Sequence, residues 1–369
     1  MTVTELAGAA LLDEVVRLTR DELRPSADAA EEAKEFPREL VRRLCELGLV
    51  RLGLPESRSG LVFCRAIETL ASGWLAVAES VHLQVLAAVG PARFGGTHVR
   101  DDVLPTMLSG AVIGGNCFSE PNAGSDLSHL ETTAVLDGDR YRLNGEKSWV
   151  GHANVGGVFN VYCRTAGGGL GGITCLLVDA DSPGLSVHRP VRKMGVRALP
   201  TATITFTDVL VPRDRVIGRP NRGMLVASDV FVQGRIGLAA CAVGLAQGAL
   251  EYAVAYAKKR IQFGQPVIQF QGVSFLLADM ATQIQAARQL LHYAVTRRDA
   301  GHDVSVEAAQ AKLFSTDVAM RVTTDAVQVL GAYGYTQDSP AERWMREAKL
   351  LQIIEGTNQI QRAAIAARL

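Results

Sequence analysis

The hydrophobic period changes twice along this chain, and no other feature constrains its fold as strongly. Apolar residues recur at helical spacing through Leu11, Leu12, Val15, Val16, Leu18 and Leu23, then through Leu40, Val41, Leu44 and Leu47; residues 61–90 and 101–109 continue the pattern. From about residue 111 to 215 the period falls to two. Thr132–Leu136 and Tyr141–Leu143 flank Asp137-Gly138-Asp139, a hairpin signal because a tight turn needs the positive φ that Gly and Asp tolerate. Further strands are expected at 159–164, 173–179 and 201–206. After Pro212 and Pro220 the helical period returns, and Arg235–Arg260 is long and rich in small residues, which suits close packing in a bundle. The prediction is an α+β chain: an N-terminal helical domain over 1–110, a middle β domain over 111–221, and a C-terminal four-helix-bundle domain over 222–369.

At 369 residues the chain can bury two or three cores. Its 38 basic and 38 acidic side chains cancel, which argues against nucleic acid or an anionic membrane as partner. The longest apolar stretches, such as 236–250, carry Gly and Gln and lead into Lys258, Lys259 and Arg260, so no membrane span is expected. Glu5, Asp13 and Glu14 around a short apolar run do not suit a signal peptide. The six cysteines lack metal-type spacing and read as buried thiols in a reducing cytoplasm. A cytoplasmic protein without a metal site is expected.

Near the C-terminus, the run Ile354-Glu355-Gly356-Thr357-Asn358-Gln359-Ile360-Gln361-Arg362 sets a carboxylate one residue before a glycine and just before a helix start. Thr357 or Asn358 can cap that helix, and Asn358 with Gln361 has a spacing related to a capping box. A carboxylate so mounted can be held at the mouth of a cavity and remove a carbon-bound proton; the alternative is an ordinary surface Glu. A second segment lies far upstream: Cys117-Phe118-Ser119-Glu120-Pro121-Asn122-Ala123-Gly124-Ser125-Asp126. Gly167–Gly172 satisfies G-x-G-x-x-G trivially, but it lies between two expected strands, where no helix N-terminus can receive a pyrophosphate. It reads as a hairpin loop.

Together the two segments resemble the acyl-CoA dehydrogenase family of flavoproteins, whose pattern is approximately Y-C-x-T-E-P-G-A-G-S-D in mid-chain and Y-E-G-T-x-x-I-Q-R near the end. Arg192–Arg197, Asp208–Pro212, Arg260–Gly264 and Leu277–Ala281 look like further landmarks in family order, and the resemblance runs from Leu12 to Leu369. It implies the acyl-CoA dehydrogenase fold, bound FAD, an acyl thioester of CoA or of an acyl carrier protein as substrate, and a homodimer or homotetramer. Oxidation between the α and β carbons needs a base for the α-proton and an acceptor for the β-hydride. No side chain accepts hydride, and without a credible dinucleotide fingerprint flavin is the natural acceptor.

By the same resemblance Glu355 is the base, with Gly356 letting backbone approach the thioester. Some family members carry the base just before the Arg that matches Arg235; here that position is Gly234. Asn116, Phe118, Ser119, Gly124 and Ser125, with Trp149 and Gly151, match the flavin-contacting region, and Ser125 and Arg235 match substrate contacts. Arg260, Phe263 and Gln271 match residues that reach the adenosine part of FAD on a neighbouring subunit; Gln328, Gly331, Thr357 and Gln359 match further cofactor contacts. The departures are specific. The family's W-I-T-N/S-G is Trp149-Val150-Gly151-His152-Ala153, Asn116 replaces an aromatic, Ala332 replaces a Gly, and the loop at Pro55–Gly60 is short. His152 is either a polar pocket residue or a satisfied structural histidine. Within the family the chain resembles the divergent members that serve methoxymalonyl-type extender-unit synthesis for polyketides, where a small hydroxylated acyl group is carried on an acyl carrier protein. A catabolic short- or branched-chain dehydrogenase and an acyl-thioester oxidase are the alternatives.

Overall fold

The computed structural model describes residues 3–369. Helices fill the first 108 residues, ending with Leu104–Leu108; an eight-stranded sheet follows, and from Gly223 onward the chain is again almost entirely helical. The strands are β1 Gly114–Cys117, β2 Thr133–Asp137, β3 Arg140–Gly151, β4 Val158–Arg164, β5 Ile173–Asp179, β6 Leu185–Val187, β7 Thr201–Pro212 and β8 Val216–Ile217. Their order is β6-β7-β3-β2-β4-β5-β8, with β1 lying parallel to β4 off that path. The expected hairpin is there, Asp137 pairing with Arg140 across a two-residue turn.

Three strands of this sheet escaped the sequence reading. β1 is Gly114-Gly115-Asn116-Cys117, whose glycines hide any alternation, and β6 and β8 have three and two residues, too few to show a period. β3 and β7 each run to 12 residues, longer than expected, because irregularities in their register, between Leu143 and Gly145 and between Lys147 and Val150, interrupt the alternation while leaving the strands paired. The second irregularity sits beside Trp149.

The long helix Gly223–Lys259 explains its own composition. A Cβ on Gly244 would come within 2.1 Å of the Glu68 carbonyl oxygen, so the helix Gly60–Gly73 can lie against it only because no side chain intervenes. This helix and Leu75–Phe94 are long and apolar enough to cross a membrane, but 72% and 89% of their apolar windows are buried inside the protein. A third apolar cluster, including Ala87, Tyr162, Ile173, Ile217 and Val226, fastens one face of the sheet to these two helices. The groove left beside that junction holds the site.

Candidate active site

A cavity of 720 Å³ opens where the sheet, the helix Leu75–Phe94 and the C-terminal segment meet. That is within the range of about 300–1,000 Å³ usual for ligand and cofactor sites. One wall is β1 and the loop after it, through Asn116, Phe118, Ser119, Gly124 and Ser125, together with Ser148, Trp149 and Gly151 of β3. The facing wall is Ile353-Ile354-Glu355-Gly356-Thr357. Glu79, Leu83 and Leu86 line it from the helix, and Arg192, Lys193, Arg346 and Lys349 add four basic side chains. Two segments more than two hundred residues apart in sequence thus share one cavity.

The turn carrying Glu355 is built by local chemistry. Glu355 and Gly356 both have left-handed backbone, φ +54 and +79. Such a conformation in a non-Gly residue persists only where surrounding contacts enforce it. Those contacts are explicit. Lys312 Nζ donates to the Gly356 carbonyl at 2.9 Å and to Asn358 Oδ1 at 2.8 Å, and Gln361 Nε2 donates to the carbonyls of Glu355 and Gly356 at 3.1 and 2.9 Å. Thr357 is the N-cap of Asn358–Ala366, its hydroxyl accepting from the Ile360 N–H at 3.2 Å. Asn358 cannot be the cap: its side chain is buried among Lys312, Thr316 and Asp317. Gln361 therefore serves the preceding carbonyls and completes no capping box.

The Glu355 carboxylate points at the helix Gly223–Lys259. A Cβ on Gly234 would lie 2.3 Å from its Oε2, so the glycine there makes room for this side chain. The accessible surface of half-buried Glu355 faces the cavity, and burial pushes its pKa up to about 7 against the opposing charges of Lys312 and Arg235. Burial likewise pushes Lys312 down to about 8.

On the opposite wall the indole of Trp149 is 66% exposed, on a residue with φ +59. Phe118 stacks on Tyr162 at 3.9 Å between ring centres. The Asn116 side-chain oxygen accepts from Asn160 Nδ2 at 3.0 Å, which fixes its amide in the wall. Ser125 is exposed and Ser119 half-buried.

Several expected site residues lie elsewhere. Arg235 is absent from the cavity wall; it stands behind Glu355, and its guanidinium donates to the Ser305 carbonyl at 3.4 Å. His152 is fully buried, donates its Nδ1–H to the Gly114 carbonyl oxygen at 2.9 Å, packs edge-on to Phe36, and is pushed down to about 4 by burial, so it is a neutral structural histidine and not a pocket group. Arg260, Phe263 and Gln271 are exposed at the end of the long helix and the hairpin after it, Phe263 to 94%. The Arg260 guanidinium covers the ring of Tyr333 at 5.6 Å, two residues past Gly331, so these residues and Gln328 share a surface outside the cavity. Gln359 is exposed on the C-terminal helix.

The sequence reading missed Glu79 and Lys312. Glu79 had a visible signal: it is the only acid in the apolar run Leu75–Phe94. Lys312 gave no such signal: a single lysine in an Ala-rich helix has nothing in sequence to mark it as buried, and it is fully buried.

Known proteins define the class. The models for the N-terminal, middle and C-terminal domains of acyl-CoA dehydrogenase match residues 8–111, 115–209 and 221–369. The chain is 37% identical over 359 residues to an acyl-CoA dehydrogenase of Bacillus subtilis (strain 168), covering 95% of this chain and 94% of that protein. It superimposes with a TM-score of 0.95 on butyryl-CoA dehydrogenase from Megasphaera elsdenii, at 34% identity over 100% of this chain and 98% of that one. It also superimposes, with a TM-score of 0.93 and 25% identity over 100% and 99% of the two chains, on the prolyl acyl carrier protein oxidase AnaB. The chain belongs to the acyl-CoA dehydrogenase family, and is an FAD-dependent oxidoreductase of that type. The residues present fit the cofactor: an exposed indole held on strained backbone offers a planar surface, and Ser119, Ser125 and Thr357 supply hydroxyls around it.

Proposed function

We propose that this chain oxidises a short, hydroxylated acyl thioester between its α and β carbons, with the acyl group carried on an acyl carrier protein in the making of a methoxymalonyl-type extender unit. The observation that supports the chemistry is the Glu355 carboxylate, held in the cavity by a built turn and raised by burial to about 7. A base poised near neutral pH is matched to removing an α-proton. Glu355 takes that proton; the Gly356 backbone lies beside the thioester; Asn116, Phe118, Ser119, Gly124, Ser125, Trp149 and Gly151 form the opposite, cofactor-holding wall. Bound FAD supplies the acceptor for the hydride that leaves the β-carbon. Lys312 keeps the base in place through the Gly356 carbonyl.

The substrate reading rests on small or polar groups in the wall: Gly151, Ser119 and Asn116. The carrier reading rests on the exposed Arg192 and Lys349 beside the cavity, cations suited to an acidic carrier protein, whereas Lys193 is engaged internally and Arg346 pairs with Glu342. Likeness to a butyryl-CoA dehydrogenase favours the catabolic alternative, and likeness to a carrier-protein oxidase favours this one. The buried free thiols support a cytoplasmic enzyme. The exposed Ile261, Phe263 and Phe275 support a homo-oligomer in which Arg260, Phe263 and Gln271 reach a neighbour's cofactor, joined by Gln328, Gly331 and Gln359.

The test is anaerobic bleaching of the yellow protein by a carrier-bound glyceryl thioester, which carries both the α-proton and the β-hydride, against a saturated acyl-CoA series. Faster bleaching by the hydroxylated carrier thioester is expected. Efficient turnover of the saturated series alone would return the chain to the catabolic dehydrogenases, and peroxide formation in air would mark an oxidase.

A further inference from the structure

Buried acids elsewhere in this protein are paired with nitrogen donors. Glu31 accepts from the Trp74 indole and the Arg197 N–H, Glu120 from Lys147 and two backbone N–H groups, and Glu347 from Arg343. Glu79 is 2% exposed and has nothing comparable. Its Oε2 accepts only from Cys241 Sγ at 3.6 Å, a weak donor, and its Oε1 has no hydrogen-bond partner among the described residues. A buried carboxyl left this way is costly unless something outside the chain completes it. Glu79 lines the cavity on the same helical face as Leu83 and Leu86, spacings of four and seven residues, so a polar group sits in an otherwise apolar stripe.

We propose that Glu79 is a specificity-determining residue that hydrogen-bonds a hydroxyl on the acyl chain of the substrate. This deepens, and rests on, the acyl-thioester reading above. Burial and the neighbouring Glu355 charge push Glu79 up to about 8, opposed by Lys193, whose ammonium is itself engaged by the Leu199 carbonyl and by Thr201 Oγ1 at 3.0 Å. Near neutral pH the carboxyl therefore holds a proton. It donates that O–H to the substrate hydroxyl oxygen and accepts the hydroxyl hydrogen at its other oxygen. A saturated chain of the same length leaves the carboxyl with no partner but the weak Cys241 thiol, the situation in which a site discriminates strongly against the analogue lacking the group.

The test is calorimetric binding of short pantetheine thioesters to FAD-loaded protein: a β-hydroxyacyl, the matching saturated acyl and a β-aminoacyl compound. Wild type is expected to bind the hydroxyacyl compound at least ~10-fold more tightly than the saturated one, a modest fraction of what such sites reach. Glu79→Val is expected to abolish or reverse that preference with FAD content and melting temperature unchanged, and Glu79→Gln to keep part of it. Glu79→Met, of similar volume, gives the same reading should the valine variant not fold. An unchanged preference in the apolar variants, or tighter binding of the amine than of the hydroxyl by wild type, would overturn the proposal. Binding needs no turnover, so wild type that binds with this preference but never oxidises either thioester would sink the dehydrogenase reading alone.

Discussion

Each of the two motifs that reveal this family contains a glutamate, and the structure uses them oppositely. Glu120, in the β1 loop, is 4% exposed and fully satisfied: Lys147 Nζ donates at 2.7 Å, and the Glu131 and Thr132 N–H groups at 2.5 and 3.0 Å. Burial alone would raise its pKa, but Lys147 and the hydrogen bonds outweigh that, and the carboxyl is held below its usual range. The Glu355 side chain has cations nearby but its carboxylate accepts no hydrogen bond among the described residues, and burial wins, raising it to about 7. The difference is geometric. Lys147 touches Glu120 directly, whereas Lys312 spends its donors on the Gly356 carbonyl and on Asn358. A satisfied carboxylate is structure; an unsatisfied one on a cavity wall is available for chemistry.

The sharpest way to break that comparison is to neutralise each glutamate. Glu355→Gln is expected to lower substrate-dependent oxidation by about 10²–10⁴-fold, the scale of losing a general base, with the fold and bound FAD intact; stopped-flow absorbance reads this. Glu120→Ala should instead act on stability, by about 3–5 kcal/mol, because Lys147 is left buried and unpaired. Chemical denaturation measures it, and equal stability of the two variants would erase the distinction.

A gentler change moves Glu355 without removing it. Gly234→Ala puts a methyl group where Oε2 now lies. The carboxylate is the mobile end of its side chain, so the fold should survive while kcat falls by about 10–10²-fold, the usual effect of misplacing a catalytic group by around an ångström. Wild-type kcat in that variant would mean that the seat at Gly234 is incidental.

The smallest effect is on pH dependence. The proton acceptor is ionised Glu355, whose folded pKa is raised, so kcat/KM is expected to rise with pH through an acid limb near 7 and to level above it. Lys312 and Arg235 oppose the rise and Glu79 faces the same cavity. Lys312→Met removes an opposing charge and should move the limb to higher pH. A limb near the ordinary glutamate value in wild type would contradict the desolvated site.

Much of the fold was legible because its signals are periodic. The helix–sheet–helix order follows from where alternation replaces helical spacing, and the Asp137-Gly138-Asp139 turn from φ preferences. β1 was not legible, since Gly114 and Gly115 carry no side chains to alternate. The motifs carried the resemblance that brought Glu355, Ser119 and Ser125 to one site, but not which residue caps the last helix: Thr357 and Asn358 are equally suitable until burial commits Asn358 to Lys312. Sequence left His152 between a pocket group and a satisfied structural histidine; the Gly114 carbonyl and the Phe36 ring decide for the structural one. Glu79 stayed hidden for the converse reason, because an acid in an apolar run reveals that it is buried and not what it faces.

The most direct test of the central claim isolates proton abstraction from oxidation. An α-deuterated thioester with no β-hydrogen to lose is incubated with FAD-loaded protein in ordinary water, and loss of deuterium is followed by mass spectrometry. Wild type should exchange the α-position, Glu120→Gln protein that remains folded should do so at a similar rate, and Glu355→Gln should not. Exchange by Glu355→Gln at the wild-type rate would show that another group takes the proton.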